Sequence, residues 1–471
     1  MGKGLTQIAL VLTVCMLLIV LVHSRTDRLL SAPILEVGEL WMDSARGYAL
    51  WVCHLLMNPT SMYSMLAYLG CIIVMVVLYY LYCALFVPME RIKLLGDIGY
   101  IEESTFSKKE IANMVRKRRL VGDVPPVYPN GWFGLIEGFR LKKGHSTNIS
   151  VLGLNLAVFR DDSGNAHVLD AYCPHMGANL AVGGRVLGDC IECPFHGWQF
   201  RGSDGKCTKI PNSDKIPDIA RVKRYTTCEK NGWIYLWFHA EGVDPTWELP
   251  DLPEVNSGEW KFAGRTEHYI NCHIEEVPEN GGDVQHLLYV HTPFMSSGVD
   301  LRYMWSKFWS FGSSHVWDAK WEPLPPPDAH IGCLQLKHSL KLFEKQITLL
   351  DMDVVARQIG PGVVYLTFDT IFGKGVYIIS QTPTEPLVQK MVHNIYVSRY
   401  TPLFMGKFFM YSESVQLERD IMIWNNKRWQ GKPMFVRSKE DALISRHRRW
   451  YSQFYSENSP RLSFQKESLD W

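Results

Sequence analysis

The stretch Glu276–His291, EVPENGGDVQHLLYVH, places Glu279, Asp283, His286 and His291 close together among apolar residues. Asp283 and His286 stand at i, i+3 and would share a helix face. His291 falls roughly 140° further round an ideal helix, so it joins them only where the helix ends or bulges. Gly281-Gly282 gives the backbone that freedom. Two histidines with a carboxylate from elsewhere form the ligand set that holds ferrous iron and leaves positions open for O2. The plainer alternative is a pair of satisfied core histidines.

A second group lies about a hundred residues earlier. Cys173-x-His175 and Cys193-x-x-His196 are separated by seventeen residues and set among Pro174, Gly177, Pro194 and Gly197, which shape tight loops. Zinc sites favour Cys or His in like pairs. Here each loop offers one of each, which suits a [2Fe–2S] cluster with two thiolates on one iron and two imidazoles on the other, the Rieske arrangement. Cys190 could make a zinc-type Cys190-x-x-Cys193 pair, but it reads better as a small buried residue on the strand before the loop. A cluster that delivers electrons needs an acceptor, and this weighs against the core-histidine reading of His286 and His291.

The elements that must position these residues follow from composition. The chain has 471 residues and a formal net charge of +1, which argues against a nucleic-acid binder. Its eleven cysteines show no secreted, disulfide-dense spacing. Leu5–Val22 and Tyr63–Val87 are free of charge and reach bilayer-spanning length; the first also reads as a signal peptide. Lys and Arg concentrate after the second segment, placing everything beyond about residue 88 in the cytosol. The expected organisation is membrane segments over 1–87, a charged, helix-tending connector over 88–129, short β-strands over 130–240, a proline-marked boundary at 244–254, a mixed α+β domain over 255–440 and a C-terminal tail over 441–471, whose end, FYSENSPRLSFQKESLDW, reads as polar and loose. ISVLGLNLAVFRDDSGNAHVLDAY predicts a hairpin. GVVYLTFDTIF and VHNIYVSRY predict strands, and ESVQLERDIMIWNNKRW (413–429) predicts a helix.

Residues 130–430 resemble Rieske non-haem iron oxygenases, whose Glu-x3-Asp-x2-His-x4-His motif stands here as Glu279, Asp283, His286 and His291. Ala178 and Phe195 stand where the respiratory branch carries extra cysteines. With EEVPENGGDVQHL and IWNNKRW, the chain is similar to the Neverland-type cholesterol 7-desaturase family of animals. The resemblance implies an α+β chain: an N-terminal transmembrane helix or two, an all-β Rieske domain, then a helix-grip (StAR-related-like) catalytic domain. It implies that Cys173, His175, Cys193 and His196 hold the cluster and that His286 and His291 bind Fe(II). Asp283 would bridge to a Rieske histidine of a neighbouring subunit. Asp420 of ERDIMIW is the expected third ligand, with Glu418 and Glu413 as alternatives, although Arg419 replaces the family's usual acid or glutamine. Glu279 has no assigned role. The implied activity is desaturation of cholesterol to 7-dehydrocholesterol with O2 and electrons from NAD(P)H through a separate reductase. A homotrimer at a membrane, the endoplasmic reticulum, with a sterol substrate drawn from the bilayer, completes the expectation. Another membrane-associated Rieske monooxygenase, such as a steroid hydroxylase, and a membrane-bound Rieske electron carrier are the alternatives.

Overall fold

The protein is described by a computed structural model covering residues 47, 62–100, 105–118, 123–304, 312–343, 345–436 and 438–462. The apolar segment Leu5–Val22 and the last nine residues of the tail lie outside these. The chain divides into two compact units, Met1–Val87 and Pro88–Trp471.

In the first unit, helix α1 (Met62–Phe86) contains no charged residue. It is long and apolar enough to cross a membrane.

The second unit begins with a correction. The connector is more than a linker: it contributes strand β1 (Met89–Lys93), which pairs in parallel with a strand more than 170 positions later, and then helix α2 (Lys108–Arg118). Next come β2 (Gly131–Glu137), β3 (Ser146–Val151), β4 (Leu154–Arg160), β5 (Ala166–Asp170), β6 (Arg185–Leu187), β7 (Cys190–Glu192), β8 (Gln199–Arg201), β9 (Cys207–Lys209), β10 (Thr227–Lys230) and β11 (Trp233–Phe238). They form three small antiparallel sheets, ordered β10-β11-β2, β3-β4-β5 and β6-β7-β8-β9. The β4–β5 turn closes because Asp161 Oδ1 accepts from the backbone N–H groups of Gly164 and Asn165.

The remaining strands are β12 (Trp260–Ile270), β13 (Ser313–Pro323), β14 (Ile331–Leu342), β15 (Lys345–Ile359), β16 (Val363–Thr370), β17 (Gly373–Glu385) and β18 (Val388–Ser398). They form one sheet of order β1-β12-β18-β17-β16-β15-β14-β13, antiparallel throughout except at β1. Between β12 and β13 lie short helices α3 (Glu279–Gly282) and α4 (His286–Val290); after β18 come α5 (Leu403–Trp424) and α6 (Lys439–Tyr451). Helix α5 lays Met410, Leu417 and Ile421 into a core with Ile270, Ile395 and Val397 of the sheet.

Helix α5 starts ten residues before the expected Glu413, because the aromatic-rich LFMGKFFMY turn is apolar on every side and shows no helical period. It stops at Trp424 rather than at 429. There the Asn425 side chain accepts from Asn271 N–H and donates to Ile98 O, taking over the helix end. The tail is also less loose than expected: Val127 N–H donates to Pro460 O, and Asn458 donates to the Glu241 carboxylate.

The Rieske-like strands sit directly on the large sheet. Gly134 of β2 packs where a Cβ would fall 2.3 Å from Ser380 Oγ of β17, so only glycine allows that approach. Arg265 of β12, almost fully buried, pairs with both Glu137 of β2 and Glu267.

Candidate metal centres

The two Cys-His loops have the same internal wiring. Cys173 N–H donates to Ala178 O and Gly177 N–H to Cys173 O; likewise Cys193 N–H donates to Trp198 O and Gly197 N–H to Cys193 O. Gly177 and Gly197, at φ 73° and 71°, take the left-handed turn that closes each loop. Cys173 and Cys193 are buried. Burial, with the Cys193 thiol beside it, pushes the Cys173 thiol up to about 11. The His175 and His196 rings lie edge to face, centroids 4.7 Å apart, and Trp198 stacks on His175. Thiol therefore meets thiol and imidazole meets imidazole. A single tetrahedral zinc needs all its donors to converge on one point. Among the described residues, the group of three or more His, Cys, Asp or Glu donors within 4.8 Å of one another lies elsewhere. The donor set of these loops thus fits a two-iron cluster better than one zinc.

That convergent group is His286, His291 and Asp420. Asp283 and His286 do not share a helix: α3 ends at Gly282 and α4 opens at His286, with Asp283 and Gln285 as their flanking residues. The Asp283 carboxylate accepts from His286 N–H at 3.3 Å, and its backbone carbonyl faces His286 Nδ1. The ring is held by that carbonyl rather than by the carboxylate, and Nε2 is left for a metal. Helix α4 then stops at Val290, which frees His291 to turn toward α5. Its Nε2 lies 3.2 Å from Asp420 Oδ2, its Nδ1 2.9 Å from Gln416 Oε1, and Trp317 Nε1 donates to its carbonyl. Burial alone would lower the His291 pKa. The Asp420 carboxylate and the hydrogen bonds to Asp420 and Gln416 outweigh it and raise the pKa above the ordinary value. Two imidazoles and one carboxylate in a largely buried site fit ferrous iron.

The two alternative acids have other work. Glu418 is two residues from Asp420 and so points across the helix. Arg91 of β1 donates to both its oxygens, at 2.6–2.9 Å, and His268 Nε2 lies 3.3 Å away. Burial opposes ionisation of Glu418, but His268 and Arg91 hold it below the usual carboxylate range. We expect Glu418→Ala to cost about 2 kcal/mol in denaturant unfolding and to leave metal content unchanged, because Arg91 is partly solvated and can rehydrate. Loss of iron would return Glu418 to the ligand set. Glu413 pairs with His393 Nδ1 at 2.8 Å, two turns from Asp420 and about 10 Å along the axis.

Glu279 is buried and held by Arg448 at 2.5 Å and Lys427 at 3.4 Å; burial opposes its ionisation, but these cations keep it below the usual range. It ties α3 to α6 and so supports the loop that carries Asp283. Its neighbour Glu275 has the opposite fate. Burial and the Glu279 charge raise it to about 8. The folded chain therefore binds this proton where the unfolded chain has lost it, and stability falls as pH rises from the ordinary carboxylate range toward 8. Glu275→Gln should remove that slope and raise the unfolding midpoint at pH 8 but not at pH 4. An unchanged slope would rule out Glu275 as its source.

A cavity of about 420 Å³ adjoins the iron-type group. Gln416 and Trp317, both bonded to His291, belong to its wall, which otherwise consists mainly of Leu, Met and Phe side chains. His315 Nδ1 and His338 Nε2 meet there at 2.7 Å. Burial lowers these rings to about 3 and about 4, so both are neutral at pH 7.

Sequence reasoning missed this wall, Gln416 and the Arg91–Glu418–His268 chain. It noted Arg419 only as an irregularity. Arg419 is fully buried and donates to the carbonyls of Gly298, Val290, Pro293 and Phe294 and to Gln416 Oε1. Burial pulls its pKa down to about 10, against the Asp420 charge next door, and it remains a cation at pH 7.

The family description "Rieske [2Fe-2S] domain" matches residues 131–225, and "3-Ketosteroid 9alpha-hydroxylase C-terminal domain" matches 236–455. The chain is 52% identical to a cholesterol 7-desaturase of Xenopus laevis, covering 82% of this chain and 84% of the relative. It is 42% identical to a cholesterol 7-desaturase of Caenorhabditis elegans, covering 82% and 92%. Among solved structures, dicamba monooxygenase bound to 3,6-dichlorosalicylic acid is similar with TM-score 0.52 at 14% identity, covering 69% of this chain and 97% of that one; this is a likeness of fold.

Proposed function

The chain belongs to the cholesterol 7-desaturase family of Rieske oxygenases, and we propose that it converts cholesterol to 7-dehydrocholesterol. It is an oxidoreductase whose cofactors are a Rieske [2Fe–2S] cluster and mononuclear non-haem iron. When bound, the cluster supplies single electrons and the iron activates O2. In our reading Cys173, His175, Cys193 and His196 hold the cluster, and His286, His291 and Asp420 hold the iron.

The observation that carries the substrate class is the apolar cavity beside His291. Its volume lies in the range of small-molecule sites. Its apolar wall suits a rigid hydrocarbon, and burial there strips water from the reacting carbon. The neutral His315–His338 pair offers a contact to a single hydroxyl. The net reaction removes one hydrogen from each of two adjacent carbons and reduces O2 to two waters, with two further electrons from NAD(P)H through a reductase.

The finer architecture is part of the same proposal: a helix-grip catalytic domain in which α5 lies across the long sheet, and α1 as a membrane span with the second unit in the cytosol at the endoplasmic reticulum. The Asp283 carboxylate is half-buried and, among the described residues, accepts one hydrogen bond. That leaves it able to meet a Rieske histidine of a neighbouring subunit in a homotrimer. The test is incubation of the full chain and a reductase with cholesterol and O2, with products identified by mass spectrometry and ultraviolet absorption. A conjugated diene is expected. A hydroxysterol with no diene would make the chain a steroid hydroxylase instead.

A further inference from the structure

The turns of an antiparallel sheet fall alternately at its two ends, so β14–β15, β16–β17 and the exit of β18 share one end. That end is apolar and exposed. Ile371 and Phe372 form the β16–β17 turn, and Tyr400, 87% exposed, follows β18. Phe404 and Phe408 project from the first turns of α5 and are exposed as well. Soluble surfaces rarely gather so many large apolar side chains. Four exposed residues, Leu349, Ile371, Phe372 and Phe408, also line the cavity, so the apolar rim and the cavity wall are continuous.

Two further observations indicate what covers this rim. The first is where the chain enters the second unit. Only Val87 and Pro88 separate α1 from β1, whose first residue, Met89, pairs with Gly264. Next to it, Ala263 packs on Gly406 so closely that a Cβ there would fall 2.6 Å from Ala263 Cβ. Gly406 lies between Phe404 and Phe408, so β1 begins near the rim and runs away from it alongside β12. The second is charge. Exposed Lys345, Lys374 and Arg399 flank the rim, with Asp369 paired to Lys374. Aromatic residues with flanking cations are the composition of a lipid-water interface.

We propose that this end of the sheet docks on a phospholipid bilayer, and that the sterol enters the cavity from the membrane between the 371–372 turn and the start of α5. The docking surface belongs wholly to the second unit. The sterol route rests on the proposed function; the lipid contact does not.

The full chain in phosphatidylcholine vesicles, carrying Tyr400→p-benzoylphenylalanine, is irradiated and analysed for lipid adducts, with the same photoreactive residue at Ile219 as control. Ile219 is equally exposed but belongs to the Rieske-like part. We expect adducts to phospholipid acyl chains at Tyr400 to exceed those at Ile219 by at least about tenfold. Equal yields overturn the docking. In a second arm, Tyr400→Asp with Phe404→Asp, neither of which lines the cavity, is compared with the unsubstituted chain. Turnover of cholesterol held in vesicles should fall about tenfold, and turnover of cholesterol delivered by cyclodextrin should stay within about twofold. Equal loss by both routes, or loss by neither, overturns the entry route. If the unsubstituted chain makes no sterol product by either route, the proposed activity fails, and the adduct yields still decide the docking.

Discussion

His291→Ala is expected to abolish desaturation and leave the Rieske absorption and electron-paramagnetic signature intact. The residue is buried, and its two ring nitrogens are committed, one toward Asp420 and the other to Gln416. Truncation removes one of three donors and leaves the carboxylate and the amide oxygen facing an empty space. Loss of a group that merely supports a ligand costs about 10–100-fold in metal affinity or activity. Loss of the ligand itself should exceed that, and iron content should fall to the share carried by the cluster. Gln416→Ala, which removes only the support, provides the calibration and should fall within the 10–100-fold range. The cluster should survive, because the four residues proposed to hold it lie on loops of the Rieske-like part. Full iron content together with full turnover in His291→Ala would falsify the placement of the iron. Loss of both metal signatures would point instead to general unfolding.

Arg419→Leu should be nearly as damaging by another route. Four carbonyls of the 290–298 segment converge on one guanidinium, and leucine satisfies none of them. Stranding buried polar groups on this scale costs about 3–5 kcal/mol. Because that segment contains His291, part of the cost should appear as weakened iron binding as well as a lower unfolding midpoint. Arg419→Lys keeps the charge but loses the planar fork, so it should recover more of the stability than of the iron affinity. Unchanged iron affinity in a destabilised Arg419→Leu chain would make the residue a structural prop only.

The chemistry was far more legible in the sequence than the scaffold. Cys173, His175, Cys193 and His196 stood out because short loops must carry their ligands at fixed local spacing. The same holds for Asp283, His286 and His291. Asp420 could be ranked above Glu418 and Glu413 only through family resemblance, since all three lie within eight residues on one helix. The structure separates them by what lies opposite: Arg91, His268 and His393 come from strands distant in sequence. Those partnerships leave no local pattern. Strand β1 was missed for the same reason. MERIK carries no strong period, and its pairing with β12 spans a very long sequence separation. The start of α5 was missed because apolar side chains stand on both its buried and its exposed sides, Phe404 and Phe408 included, so the amphipathic period used to recognise a helix is lost. Arg419 looked like a departure from the motif, but its burial makes it the clamp on the histidine segment.

The edge position of β1 has a consequence for how the chain would behave if cut. Five register pairs join β1 to β12, Arg91 grips Glu418, and Ile98 is anchored by Asn425. A protease nick between Tyr100 and Thr105 would therefore produce two fragments that co-migrate under native conditions and separate only in denaturant. The N-terminal piece would behave as a complementing peptide, whose departure opens the flank of the sheet against which the Asp420 helix rests.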